Sequence, residues 1–372
     1  MNYRADRMDC IDASGIRKVF ALAAKLEDPI NLSIGQPDFD VDDAVKEEAI
    51  ARIREGRNSY TQTWGIEELR TECSAYYERR FGTPLDNVMV TSGVSGGFYL
   101  ALMATLNPGD EVLFGDPYFV MYPHITRLLG GVAVPIDTYP SFKLTAKAIE
   151  AAITPRSKIL IINSPSNPTG VTLDAAELDA IAAVAKRHGL LIISDEIYEQ
   201  FSYDAAPLSM AGRYADTIVL NGFSKIAAMT GWRVGYAAGP DEIIQNMNTL
   251  QQYTFVCAPS FAQYGAVAAL NLDLGPTIAA YKKKRQMIFE GLKEHFNPTQ
   301  PGGAFYIFPN APGGDGEAFV KEAIENNVLV IPGNVFSDKN THFRLSFAAD
   351  DAVLEQGIEA LNAIAMNYAA AK

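Results

Sequence analysis

Between positions 88 and 238 the hydrophobic residues fall into short, separated runs: "VMVTSG", "EVLFGDP", "GVAVPID", "KILIINSP", "GLLIISDE", "TIVLNGF" and "VGYAAGP". Each is of strand length. Several are apolar at every position rather than at alternate ones, the pattern of strands buried on both faces. Helical patterns lie between many of them. In "TLDAAELDAIAAVAKRHG" Leu178, Ile181 and Ala185 mark one face, and Gly189 supplies a C-terminal stop. Strand and helix in alternation predict an α/β domain whose sheet is mainly parallel and flanked by helices.

The ends read differently. Residues 11–28 have a helical pattern, and "INLSIGQPDF" then breaks into an extended segment punctuated by Gly and Pro. From about Tyr281 a charged helix leads to "GGAFYIFP", a helix near 317–326, "VLVIPG" and "HFRLSFA", and an amphipathic helix runs from about Asp351. This order predicts a small α+β domain built from both termini, residues 1–35 and 280–372, around a large domain of residues 36–279. There is no internal repeat and no low-complexity tract.

Composition narrows the function classes. A chain of 372 residues suits two domains, and 48% hydrophobic with 20% charged residues is a globular balance. The net charge of −13 leaves no basic excess to displace counterions from a nucleic acid. Cys10, Cys73 and Cys257 are far apart and form no CxxC pair, which fits a reducing compartment. "MNYRADRMDCID" carries charges where a signal peptide needs an apolar core, and no apolar run approaches the ~20 residues of a membrane span. A cytoplasmic protein without nucleic-acid or membrane partners is expected. His124, His188, His295 and His342 lack ligand spacing, so no metal site is expected, and no GxSxG elbow occurs.

The chemistry-bearing residues gather where strands end, the edge at which open parallel sheets bind ligands. "LIINSPSNPTG" places Asn163, Ser164 and Asn167 after one strand, "LLIISDEIY" places Asp195 and Tyr198 after the next, and "IVLNGFSK" places Asn221, Ser224 and Lys225 after a third. In "NGFSKIAAMTGWRVGY" Lys225 and Arg233 sit among small and apolar residues with no acidic partner in the stretch. Buried cations are costly unless paired or deprotonated.

That set resembles the fold-type-I pyridoxal-phosphate enzymes, specifically the class I aminotransferases of the aspartate and aromatic kind. The resemblance runs through "SIGQPDF", "SYTQTWGIEELR", "DPYFVMYP", "NSPSNPTG", "SDEIY", "SKIAAMTGWRVGY", "GGAFYIFP" and "FRLSFA" in the family's order, covering nearly the whole chain. It implies a large domain with a seven-stranded sheet and pyridoxal 5′-phosphate as cofactor. Lys225 would form the Schiff base with the cofactor aldehyde and shuttle the substrate's α-proton. Asp195 would pair with the pyridine nitrogen and keep it protonated. Tyr198 and Asn167 resemble donors to the ring's phenolic oxygen, and Phe119 the aromatic that stacks on the ring. Arg233, Ser95, Gly96 and Ser224 resemble the residues around the phosphate, with Tyr60 reaching it from the other subunit of a homodimer. Arg344 resembles the arginine that grips the substrate α-carboxylate, and Gly35 would leave room for it. Taken singly, Lys225 reads as a snorkelling surface lysine, Asp195 as a helix N-cap, Phe119 as core and Arg344 as half of a surface ion pair.

Two departures from the family's pattern stand out. Gly222 occupies the position, three before the lysine, where relatives often carry a phosphate-binding serine. Ser95 occupies the position where some aspartate-specific relatives carry a lysine for the distal carboxylate, and "NGFSK", "GGAFYIFP" and "CAPSFAQYGA" look more like enzymes of aromatic or broad specificity. The resemblance implies transfer of an amino group from an L-amino acid to a 2-oxo acid, with 2-oxoglutarate the expected acceptor. A C–S β-lyase on the same fold and a non-catalytic binding protein are the competing readings.

Overall fold

The computed structural model describes residues 3–12, 15–16 and 26–370. The helix expected over 11–28 falls largely outside the described residues. The first strand, β1 (Ile30–Asn31), is two residues long. The seven apolar runs all form strands: β2 (Met89–Thr91), β3 (Glu111–Asp116), β4 (Val132–Asp137), β5 (Ser157–Asn163), β6 (Leu191–Asp195), β7 (Thr217–Gly222) and β8 (Gly235–Ala238). They make one sheet in the order β2-β8-β7-β6-β5-β3-β4. β8 runs antiparallel to both its neighbours, and the remaining pairs are parallel.

The unbroken hydrophobicity of the central strands follows from coverage on both faces, whereas the edge strand β4 is only partly covered and leaves Val132 exposed. In β5, Ile159 and Ile161 pack on one side with Phe98, Ile193 and Ile218. Leu160 and Ile162 pack on the other with Leu178, Ile181 and Ile192. Adjacent residues of a strand point to opposite faces, so both sets must be apolar. The helix Ala175–His188 lies on the second face. Its start is fixed by Asp174 and Glu177, which bond reciprocally across the first turn, and it stops at Gly189 with φ 65°.

The chain ends meet in a smaller unit. β1 pairs in parallel with β10 (Val328–Leu329), which follows β9 (Tyr306–Ile307) in sequence. β11 (Ile331–Pro332) and β12 (Phe343–Ser346) join β9 in a three-stranded antiparallel sheet. The Ser346 amide donates to the Leu32 carbonyl at 2.7 Å, which ties the two ends of the chain together. The helices Gly275–Phe296 and Asp351–Ala370 cover this unit through Ile288, Leu292, Leu354 and Leu361. The first begins at Gly275 rather than near Tyr281. Pro276 sits in its first turn, where a missing N–H costs nothing, and Asp273 accepts from the Gly275 amide at 3.0 Å.

Candidate active site

The site is built at the carboxyl ends of β5, β6 and β7. Asp195 is the last residue of β6 and is buried. Its Oδ2 accepts from the Tyr122 hydroxyl at 2.8 Å and its Oδ1 from the Ile197 amide at 3.3 Å. Burial pushes the carboxyl up to about 6, while these two bonds and the charge of Lys225 pull the other way. Asn163, at the end of β5, donates to the Asp195 carbonyl at 3.0 Å and accepts from the Asn167 amide at 2.8 Å, locking two neighbouring loops together.

Lys225 lies in the turn after β7, half-buried, and its Nζ donates to the Gly35 carbonyl at 2.6 Å. Burial brings the ammonium down to about 8, helped by the positive charges of Arg344 and Arg233 and opposed by Asp195. Arg344, on β12, is fully buried. It donates to Asn167 Oδ1 at 3.1 Å and to the Ser33 carbonyl at 2.9 Å, and its guanidinium lies 4.5 Å from the Tyr306 ring and 4.7 Å from the Phe336 ring. Its Nε is buried without a hydrogen-bond partner. Buried donors are rarely left so.

These side chains share a cavity of about 460 Å³. Of the residues singled out from the sequence, Gly35, Ser95, Phe119, Asn167, Asp195, Tyr198, Ser224, Lys225, Arg233 and Arg344 all line it. Among the described residues, none of Lys225, Arg233 and Arg344 forms an ion pair, although the chain is acidic overall. Three unpaired cations around one cavity suit an anionic ligand.

Arg233 differs from the buried cation its apolar setting suggests: it is exposed, with φ 56°, and donates to the Thr230 carbonyl at 3.0 Å. Its guanidinium rests against Gly93, the first residue of the helix Gly93–Thr105, where an added Cβ would sit 2.8 Å from Nη2. The glycine thus keeps a place for a cation at a helix N-terminus, next to Val94 and Ser95 of the cavity wall. Gly96 lies just beyond, buried, and does not line the cavity. Tyr60 is 85% exposed and borders a separate surface cleft with Arg57, Gln62 and Tyr264. Gly222 has a packing reason: a Cβ there would meet Gly235 Cα at 2.9 Å and the Val234 carbonyl at 3.1 Å, so β8 leaves no room for serine.

Two further residues belong to the site. Tyr122 bonds Asp195, and the Tyr306 hydroxyl lies 2.9 Å from that of Tyr198. The sequence carries a signal for Tyr122, which follows Phe119 by three positions at the start of the helix Met121–Leu128. Tyr306, within "GGAFYIFP", reaches the cavity through strand pairing, opposite Ser346 on β12, and the motif alone does not single it out.

The family described as aminotransferase class I and II matches residues 27–361. A probable aspartate aminotransferase of Methanocaldococcus jannaschii is 38% identical over 95% of this chain and 97% of its own. An aromatic-amino-acid aminotransferase of Thermococcus litoralis is 35% identical over 97% of each chain. Among solved structures, an aspartate aminotransferase single mutant of Thermus thermophilus superimposes with a TM-score of 0.93 at 33% identity, over 98% of this chain and 100% of that one. Matched along nearly its whole length in sequence and in fold, the chain belongs to the class I and II aminotransferases, which work with pyridoxal phosphate.

Proposed function

We propose that this aminotransferase takes its amino group from an aromatic or broad range of L-amino acids and passes it to 2-oxoglutarate, with site roles as follows. The residues present fit the cofactor. Lys225 offers an amine that gives up its proton far more readily than an ordinary lysine, Asp195 a buried carboxylate for the pyridine nitrogen, and Arg233 a cation at a helix start with a glycine cradle beside it. Bound there, pyridoxal phosphate supplies an aldehyde for the amine and an electron sink for the substrate's α-carbon. Lys225 then holds or returns a proton at that carbon. Tyr198 and Asn167 would hold the ring's oxygen, Phe119 would stack on the ring, and Ser95, Ser224 and Arg233 would hold its phosphate. Arg344, with its vacant Nε and planar fork, binds the substrate α-carboxylate, and Gly35 leaves space beside it.

The observation that carries the reading is the gathering of Lys225, Asp195, Arg233 and Arg344 around one cavity. Side-chain preference rests on Ser95, Ile34 and Gln36. Among the described residues the cavity's cations are Lys225, Arg233 and Arg344, each already assigned, so none of this chain's described cations is left for a distal carboxylate. This favours aromatic and neutral donors over strict aspartate specificity. Tyr60, too exposed to serve its own cavity, would reach the site of a second copy, making the enzyme a homodimer with shared sites.

A panel of amino donors assayed with 2-oxoglutarate tests this reading. Aromatic donors are expected to turn over at least as well as aspartate, and a strong preference for aspartate alone would overturn the specificity. Pyruvate and ammonia released from cysteine-like donors without any acceptor would favour the C–S lyase instead. Lys225→Ala should lose both turnover and the protein-bound cofactor absorbance. Mixing inactive Tyr60 and Lys225 variants should restore part of the activity if sites are shared between subunits.

A further inference from the structure

We propose that Tyr122 is a positioning residue for the transamination, its hydroxyl holding the Asp195 carboxylate toward the cavity while its ring fixes the tilt of Phe119. The inference rests on the assignment of Asp195 and Phe119 to the cofactor ring. Phe119 follows β3 and Asp195 ends β6, strands that are not neighbours in the sheet. Tyr122 spans the gap. Its hydroxyl donates to Asp195 Oδ2 at 2.8 Å, and its ring meets Phe119 edge-on, with centroids 5.7 Å apart at 79°. Phe98 and Phe114 hold the same ring at 5.2 and 6.1 Å, so it is clamped within the core.

The bond matters because Asp195 has little else. Among the described residues Tyr122 is the one side chain that donates to its carboxylate, and the Ile197 amide at 3.3 Å is the other donor. Asn163 serves its backbone carbonyl instead. The titratable groups facing the carboxylate are Tyr122 on its helix, Lys225 after β7 and Tyr198 on Asp195's own loop. Burial and the nearby Asp195 hold the Tyr122 phenol well above its ordinary range, so it stays a donor at every working pH. Without that hydroxyl, burial would favour a neutral carboxylic acid, which cannot hold a ring-nitrogen proton by charge.

The test is Tyr122→Phe, which removes one oxygen and keeps the ring. The holoenzyme is reconstituted with pyridoxal phosphate carrying ¹⁵N in the ring. The ¹⁵N shift, the pH titration of bound-cofactor absorbance, the cofactor Kd and the split between kcat and KM are then measured. Expected are a ¹⁵N signal moved toward the unprotonated ring and a Kd raised roughly tenfold or more, the loss typical of a hydrogen bond to a charged group. The fall in activity should lie mainly in kcat. Tyr122→His, which keeps a ring N–H donor, should recover part of the shift, so a purely structural role is distinguished. Asp195→Asn is the control. If it moves the ¹⁵N signal while Tyr122→Phe leaves signal, Kd and pH titration unchanged, the role of Tyr122 is overturned. If neither variant moves the signal, the assignment of Asp195 fails, and this inference with it.

Discussion

Replacing Arg344 by lysine keeps the positive charge and removes the planar fork. The guanidinium is held flat between Tyr306 and Phe336, bonded to Asn167 and Ser33, with Nε left over. A lysine ammonium cannot fill that slot face-on, and it presents a point charge where a carboxylate needs two parallel donors. Losing one of two charge-assisted hydrogen bonds removes ~1.5–3 kcal/mol of binding. At ~1.4 kcal/mol per decade this is roughly a ten- to 150-fold drop in kcat/KM for every amino donor, since all share the α-carboxylate. The carbonyl of Ser33 and Oδ1 of Asn167 still offer acceptors to the ammonium, so the fold should survive with a Tm change of a few degrees at most. The decisive assay is kcat/KM across several donors, read beside cofactor retention. A kcat/KM within about threefold of the parent, or a loss carried wholly by cofactor release, would refute the placement of the substrate carboxylate at Arg344.

Other outcomes can be checked separately. In the cofactor-free protein, the rate of pyridoxal phosphate capture should rise with pH around a midpoint near 8, as Lys225 deprotonates. At pH 7.5 about a quarter of such amines are free, against about a thousandth of ordinary lysines, so a midpoint above about 9.5 would contradict the environment described. Gly93→Ala should weaken cofactor binding roughly tenfold and lower Tm, because a Cβ at φ 67° costs ~1 kcal/mol and also presses on Arg233. Glu199 is a buried acid that burial pushes up to about 7, despite Arg80 and a hydrogen bond from Tyr76. The folded state therefore binds more protons than the unfolded one between about 4.5 and 7, and stability falls as pH rises through that window. Glu199→Gln should flatten this decline by no more than about 3 kcal/mol, measured as Tm between pH 4.5 and 8. Asp195, pushed up to about 6, acts in the same direction and remains in the variant. An unchanged slope would exclude Glu199 as its source.

What the sequence determined is everything that repeats locally. The strands of the large sheet were legible as short apolar runs, uninterrupted in the central ones because both faces are buried, and the helix Ala175–His188 because Leu178, Ile181 and Ala185 mark one face and Gly189 stops it. Motif order brought the lysine, the aspartate and the arginines into view: Asp195 ends β6 and Lys225 follows β7, while Arg233 precedes β8 and Arg344 lies within β12. Other features depend on distant chain segments meeting, and only tertiary structure decides them. Pairing of β1 with β10 and of β9 with β12 carries Gly35, Tyr306 and Arg344 to the cavity, though hundreds of positions separate the first from the others. The bond from Tyr122 to Asp195, the clash that keeps position 222 a glycine and the exposure of Arg233 are likewise properties of packing. Periodicity reports which face of an element is buried; it holds no information about which distant residue lies against that face.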